Sequence, residues 1–212
     1  ELLSSIDPVA ELEPEPPPTR RITDEEILDF LVETGLRPSA ADELTTALAR
    51  IRLLARYYYN NRRGWKDVRE HETRTFLILP LLLALGWQEQ RLKVELGVPG
   101  QGRIDVACFG KPYRRGEDNQ PNNSDCLVIL ESKGFEVGLD RAPAQARGYA
   151  AHFPACRCII VSNGYCYKAF ERDVKTEDFS ECPTAYLNLL NPQDAYPLDP
   201  ANVKGCLEVL RL

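Results

Sequence analysis

The sequence predicts an α/β fold in which a mixed central β-sheet is flanked by helices, with a small helical appendage at the N-terminus. Two observations support this prediction. Short apolar runs of strand length alternate with longer segments at helical spacing, and residues 127–130 are apolar on both faces, as in a buried central strand. The 212 residues, 43% of them hydrophobic, are enough to bury one sizeable core.

The first third of the chain divides into a tail and two helices. Residues 1–20 are rich in proline and glutamate, which favours an extended, solvated segment. Thr23, followed three residues later by Glu26, predicts a capped helix start, and Gly35 predicts its end. A second amphipathic helix begins near Ser39. The predicted organisation is a tail or linker at 1–20, a helical subdomain at 21–63 and a main domain at 64–212.

The remaining chain alternates between strand and helix patterns. The predicted strands are 88–97, 102–110, 126–133, 157–162, 165–170 and 185–189. A right-handed crossover should make strand 157–162 parallel to strand 126–133. The predicted helices are one carrying Glu72 with a kink at Pro80, one opening near Asp140 with Pro143 in its first turn, and one at 202–212.

Composition argues against several classes of protein. The most apolar run, residues 77–85, is too short to span a bilayer, and no basic region precedes an apolar one at the start, so no secretory signal is expected. The two histidines, His71 and His152, lack a recognisable nucleophile context, which disfavours a serine or cysteine hydrolase. We expect a cytoplasmic protein that does not bind membranes.

The seven cysteines are an odd number and are scattered along the chain. Most lie in apolar segments, where a free thiol behaves as a small hydrophobic group. A zinc site would use Cys156 and Cys158 with Cys166 or Cys182, but that spacing does not match the usual paired cysteine ligands. The sequence therefore favours reduced core thiols and a reducing compartment.

Charged residues lie in two of the apolar strands. Glu131 and Lys133 share one face of a strand, with Ser132 on the opposite face, and Asp105 on another strand supplies a second carboxylate. Buried charges require a partner or a metal, and two carboxylates with few other ligands suit Mg²⁺ that keeps some of its waters. Lys133 beside them can orient or deprotonate a water. The alternative is a strand-end ion pair, in which Asp105 binds Arg103 or Lys133.

These residues resemble a known family. Asp105 followed by 131–133 resembles the PD-(D/E)XK nuclease signature. The later pair Gln145 and Tyr149 resembles the glutamine-tyrosine motif of the N-terminal nuclease domain of type I restriction endonuclease R subunits. The resemblance covers roughly residues 66–172, which is more than a short-motif match.

Two further segments support the resemblance and two features depart from it. Residues 72–87 are similar to the first helix of that nuclease domain, and the turn at 162–164 also fits. Ile104 replaces the proline of the signature, and a long loop at 110–124 separates the acidic residues. The proline is not a ligand, and loop closure becomes only slowly more costly with length, so neither departure removes a catalytic group.

The resemblance implies a restriction-endonuclease-like core and Mg²⁺-dependent hydrolysis of DNA phosphodiester bonds, in restriction or defence against foreign DNA, with Mn²⁺ as a substitute ion. Glu72 would be a helper carboxylate at the polar end of an inward helical stripe; its alternative is a surface ion pair with Arg69 or Arg74. Tyr149 would support the DNA backbone, and Gln145 would orient Lys133 or the metal shell. The implied catalytic residues are Asp105, Glu131, Lys133, Gln145 and Glu72, and the implied metal ligands are Asp105, Glu131 and the Ser132 carbonyl.

The segment 44–74 is basic although the whole chain has a net charge of −6. Its arginines and lysine are interleaved with three tyrosines and Trp65, a mixture suited to phosphate contacts and base packing. The residues expected to contact DNA are Arg62, Arg63, Lys66 and Arg74. The alternative is a solvated helical face that balances the acidic N-terminus.

The sequence also limits the expected partners. R subunits of this type couple the nuclease to an ATP-driven motor, but no Gly-x-x-x-x-Gly-Lys-Ser/Thr motif occurs here. A motor or specificity subunit, or a missing part of the polypeptide, would have to supply translocation, and a homodimer would help to cut both strands. The alternative function is a non-cleaving or partner-activated DNA-binding or assembly module on a nuclease scaffold.

Overall fold

The structure is a computed structural model that describes residues 18–62, 68–114 and 123–211. Its centre is a six-stranded mixed sheet flanked by helices, which confirms the predicted α/β class. The strands follow chain order across the sheet. They are β1 (Leu92–Val98), β2 (Gly102–Phe109), β3 (Cys126–Ser132), β4 (Cys158–Ser162), β5 (Cys166–Glu171) and β6 (Ala185–Asn188).

Strand pairing agrees with the sequence prediction. β3 and β4 are parallel, as the crossover through a helix requires, and the other four neighbouring pairs are antiparallel. The first strand begins later than predicted, because Glu89–Arg91 forms a 3₁₀ turn before it.

The helices are α1 (Asp24–Glu33), α2 (Ala41–Asn60), α3 (Glu70–Thr73), α4 (Leu79–Ala84), α5 (Ala142–Ala150) and α6 (Cys206–Leu210). The predicted capping box of α1 is confirmed, because Thr23 Oγ1 accepts from Glu26 N and Thr23 N donates to the Glu26 carboxylate. The last helix is shorter than the predicted 202–212. Its first residues form a turn instead, and Lys204 is held in a β-bridge, since Lys204 N donates to Thr184 O and Lys204 O accepts from Tyr186 N.

The helical segment before the sheet is irregular upstream of Pro80. A π-helical turn, Arg74–Ile78, joins α3 to α4, and Pro80 lies in the first turn of α4. A proline lacks the N–H that a regular helix needs at that point, and its ring crowds the preceding turn. The predicted disturbance is therefore present as a wide turn, a feature that is frequent at functional sites.

The core has two layers, one on each face of the sheet. On one face, α4 and α6 pack against alternate residues of the central strands, including Val128, Leu130 and Ile160, while α1 packs on α6 and α2 packs on α4 within the same core cluster. On the other face, α5 packs against Ala107 and Ile129. Helices α1 and α2, predicted as a small N-terminal subdomain, thus belong to the same apolar core cluster as the sheet.

All seven cysteines are free. Cys108, Cys126, Cys156, Cys158 and Cys206 are buried, whereas Cys182 is exposed. Burial raises the pKa of Cys156 to about 11, so this thiol is protonated at neutral pH and packs as a small hydrophobic group. Within the described part of the chain, no helix is long and apolar enough to cross a membrane.

Candidate functional site

The two predicted carboxylates lie side by side where β2 and β3 meet. The antiparallel register pairs Val106 with Leu130, so the next pair places Asp105 opposite Glu131. Both side chains are almost fully buried, with Asp105 8% and Glu131 2% exposed. They lie on the face of the sheet that α5 covers, because Ala107 and Ile129, two residues away on each strand, belong to that layer of the core.

Asp105 is fixed by three hydrogen bonds. Arg74 Nη1 donates to Oδ1 over 2.7 Å, and the backbone N and the Oγ of Ser132 donate to Oδ2 over 2.7 and 2.9 Å. The expected alternative partners, Arg103 and Lys133, are not the ones that bind it. Arg103 pairs instead with Glu95 across 3.6 Å.

Glu131 has one satisfied oxygen and one without a partner. Lys133 Nζ donates to Oε1 over 2.8 Å, whereas the buried Oε2 has no hydrogen-bond partner among the described residues. Burial raises the pKa of Glu131 to about 7; the hydrogen bond from Lys133 lowers it, and the nearby carboxyl groups of Asp105 and Glu70 raise it further. The ionised form of Glu131 is therefore disfavoured, because the positive charge of Lys133 does not offset burial and the neighbouring acidic groups.

Lys133 lies at the rim of the site, with 20% of its side chain exposed. Burial lowers its pKa, but the hydrogen bond to Glu131 and the charges of Glu131, Glu70 and Asp105 outweigh burial, so the pKa lies above the ordinary value. The amine is thus a protonated hydrogen-bond donor at neutral pH. This favours a lysine that orients water or neutralises charge over one that removes a proton.

Gln145 and Tyr149 extend the network onto α5. Lys133 Nζ lies 3.4 Å from Gln145 Oε1, and Gln145 Nε2 donates to Tyr149 Oη over 3.1 Å. Tyr149 was predicted to contact DNA, but it is only 5% exposed. Its hydroxyl packs against Gly102, where an added Cβ would lie 3.1 Å from Oη. Tyr149 therefore positions Gln145 from within the core.

The helix upstream presents a different glutamate from the predicted one. The carboxylate of Glu72 accepts from Arg69 N and caps its own helix. Glu70 is the residue whose carboxyl group interacts with Asp105 and Lys133, and burial together with Asp105 raises its pKa. Glu72 therefore does not point at the two carboxylates, because Phe76, predicted to continue its inward face, is 46% exposed.

A signal for the correct face was present in the sequence. Thr73, Leu77 and Leu81 recur at intervals of four, and all three are buried. Glu70 and Arg74 are also four apart, and both reach Asp105.

The predicted DNA-binding residues differ in position. Arg74 is 5% exposed and belongs to the carboxylate network rather than to the surface. Arg62 is exposed and folds back on its own helix, with its guanidinium 4.3 Å from the ring centre of Tyr59 and Nη1 donating to Tyr59 O. Arg63 and Lys66 lie outside the described residues.

The donor set is compatible with Mg²⁺ that keeps several waters. In the described ranges, no group of three or more His, Cys, Asp and Glu side chains is arranged to hold a metal ion. Mg²⁺, however, commonly uses one or two carboxylates and completes its shell with water. Among the described residues Glu131 Oε2 accepts no hydrogen bond, and Asp105 Oδ1 accepts one from Arg74. A carboxylate oxygen has two lone pairs, so Glu131 Oε2 in particular can bind a cation.

The sequence was compared with protein-family models and with curated proteins. No protein-family model matches the chain, and no curated protein matches it either. The resemblance to PD-(D/E)XK nucleases therefore stays a prediction from the sequence motifs.

Proposed function

We propose that this protein is a metal-dependent endonuclease that hydrolyses DNA phosphodiester bonds, in restriction or defence against foreign DNA. One observation carries the proposal: Asp105, Glu131, Lys133 and Gln145 come from three elements and meet in one polar network at a strand end. Within it, Glu131 keeps a buried oxygen without a partner. A purely structural ion pair would gain nothing from leaving that oxygen unsatisfied.

Asp105, Glu131 and the Ser132 carbonyl would hold Mg²⁺, or Mn²⁺ in its place. When bound, the ion would polarise the scissile phosphate and lower the pKa of a bound water. The Lys133 ammonium then donates to the attacking water or to the phosphate oxygens. Gln145 limits the motion of Lys133, and Tyr149 in turn holds Gln145.

The partners follow from the same proposal. Arg62, with Arg63 and Lys66 beyond the described residues, would contact DNA phosphates through charge. A motor or specificity subunit would supply translocation and sequence choice, and a homodimer would allow both strands to be cut. A cytoplasmic location is part of this proposal.

A second candidate is a nuclease scaffold that binds DNA without cutting it, or that cuts only with a partner. The observation in its favour is that both oxygens of Asp105 and one of Glu131 already accept hydrogen bonds from Arg74, Ser132 and Lys133. With these hydrogen bonds formed, the network can stabilise this part of the sheet without binding a metal ion.

Plasmid nicking with titrated Mg²⁺ and Mn²⁺ separates the two candidates. We expect wild type to nick supercoiled DNA only with metal, and Lys133→Ala to lose at least about 100-fold in rate, the usual worth of a positioned proton donor. Lys168→Ala is the matched control, because Lys168 lies on the sheet with a similar 19% exposure but pairs with Asp140. Metal binding without nicking by wild type would favour the scaffold, and equal nicking by wild type and Lys133→Ala would exclude the assigned role.

A further inference from the structure

Arg74 occupies an unusual position for a buried arginine. Its guanidinium bridges two carboxylates, with Nη1 2.7 Å from Asp105 Oδ1 and Nη2 2.7 Å from Glu95 Oε1. Only 6% of its side chain is exposed. It lies in the π-helical turn Arg74–Ile78. Arg74 thus places a positive charge on one of the two carboxylates that would hold the metal ion.

Glu95 differs from Asp105 in exposure and in backbone. The register on either side, Val94 with Val106 and Leu96 with Ile104, places Glu95 opposite Asp105 on the neighbouring strand. Its φ of 52° is left-handed, which is strained for a residue with a side chain. Its side chain is 48% exposed, whereas that of Asp105 is 11% exposed. Glu95 is therefore a half-solvated anchor at the outer end of the guanidinium.

The cluster around Asp105 contains more carboxyl groups than cations. Four carboxyl groups interact within it, those of Glu70, Glu95, Asp105 and Glu131. Among the described residues three cations face them: Arg74, Lys133 and, at the exposed outer end of Glu95, Arg103. The inner carboxyl groups of Glu70, Asp105 and Glu131 face only Arg74 and Lys133, so a divalent ion would be attracted there, but at Asp105 Oδ1 it would meet the guanidinium at close range. Like charges in contact are costly in a buried site.

We propose that Arg74 is a positioning residue that competes with the divalent cation for Asp105 Oδ1, and that Glu95 is the anchor to which the guanidinium withdraws when the cation binds. The inference rests on the proposed metal-dependent function and deepens it. Without the ion, Arg74 holds Asp105 in place and neutralises it. With the ion, Arg74 keeps its bond to Glu95 and leaves the inner oxygen to the metal.

The test is Mn²⁺ binding to the whole chain without DNA, measured by isothermal titration calorimetry, so that activity is not the readout. Arg74→Gln should bind Mn²⁺ about tenfold more tightly or better, because a charge-assisted hydrogen bond no longer has to be broken. Glu95→Gln should bind more weakly, since Arg74 then has only Asp105 to hold. In the double variant the effect of Glu95→Gln should disappear, because Glu95 acts through Arg74.

Arg103→Gln is the control for a general loss of positive charge. Arg103 also contacts Glu95, but it is 72% exposed and does not bind Asp105, so its Mn²⁺ affinity should stay within about twofold of wild type, as expected for a surface charge. Equal gains in Arg74→Gln and Arg103→Gln would overturn the proposal. So would an effect of Glu95→Gln that persists in the double variant.

The remaining outcomes separate this inference from the proposed function. If wild type binds Mn²⁺ and nicks DNA but Arg74→Gln binds no better, only the role of Arg74 fails. Mn²⁺ binding that appears only in Arg74→Gln supports the inference, because Arg74 would then exclude the ion from wild type altogether. Absence of Mn²⁺ binding in every variant refutes both proposals. If Arg74→Gln does not fold, the same single and double variants are made with Arg74→Lys instead, whose single ammonium cannot span both carboxylates. A full effect of Glu95→Gln on Mn²⁺ affinity in the Arg74→Lys background would refute the inference.

Discussion

Glu131 shows how a single residue can link stability to function. Its carboxyl group is buried beside two other acidic groups, and one lysine hydrogen bond does not fully compensate for the burial. Such a group is costly for the apoprotein but well suited to receive a cation. A loss of stability of this kind is typical of sites that are selected for binding rather than for stability.

The pH dependence of stability should report this directly. The pKa of Glu131 rises from 4.5 to about 7 on folding, so the folded chain binds the extra proton between these values. The associated stability is fully present below about pH 4.5 and is lost as pH rises through 7. Glutamine cannot titrate, so the free energy of unfolding of Glu131→Gln relative to wild type should increase over this range by up to about 3 kcal/mol.

Urea unfolding of both proteins without metal at pH 5 and pH 8 measures the difference. Glu89 is exposed, so Glu89→Gln serves as the control. Its free energy of unfolding should change with pH in the same way as that of wild type. A stability difference between Glu131→Gln and wild type that is the same at both pH values would contradict the assigned burial effect.

At the scale of elements, the helical segment from Glu70 to Ala84 illustrates why choosing a helix face is difficult. Apolar residues occur on both sides of it, and Phe76 and Leu83 are exposed whereas Leu77 and Leu81 are buried. The π-helical turn adds a residue to one turn and rotates the side chains of α4 about the helix axis. The spacing of Leu77 and Leu81 marked the buried face, but Phe76 and Leu83 offered a competing apolar face, and tertiary packing selected between the two.

Helix α1 offers the opposite case, since its start follows from local chemistry alone. Thr23→Ala removes the cap and should cost about 1 kcal/mol of unfolding free energy. Thr45→Ala is the matched control: its hydroxyl bonds to Ala41 O in a helix interior, where alanine is the better helix former. Urea denaturation should show a loss for the first variant only, and equal losses for both would exclude a specific capping contribution.

At the scale of the whole molecule, the N-terminal helices and the sheet depend on each other. Leu44, Leu48 and Ile51 from α2 are at most 1% exposed and belong to the same core layer as Leu130 and Ile160. Helix α2 packs on α4, and without α2 the apolar side chains of this shared core layer would be exposed to water. We therefore expect the chain to unfold in a single cooperative transition.

Leu48→Ala tests this coupling. It should lower the free energy of unfolding by about 2 to 5 kcal/mol, since it leaves a cavity in the shared core. Leu53→Ala on the same helix, where the side chain is 71% exposed, should change it by less than about 0.5 kcal/mol. Far-UV circular dichroism and tryptophan fluorescence should report one midpoint in each variant. Two separate midpoints, with only one shifted by Leu48→Ala, would show that the helices fold independently.

The sequence by itself determined the elements and much of their pairing. All six strands were predicted, because alternation and apolar runs are local properties of the chain. The parallel pair β3 and β4 followed from the crossover rule. It also identified the trio Asp105, Glu131 and Lys133, because a buried charge in an apolar strand requires an explanation wherever the strand lies.

Only the tertiary structure decided which residues meet this trio. Arg74 is 31 positions away from Asp105 along the chain, and no spacing rule selects it over Arg103 or Lys133. Burial likewise turned Tyr149 from an expected DNA contact into a support for Gln145. Partners of this kind are chosen when helices and sheet pack, since the cost of an unpaired buried charge depends on every group around it and not on the neighbours in sequence.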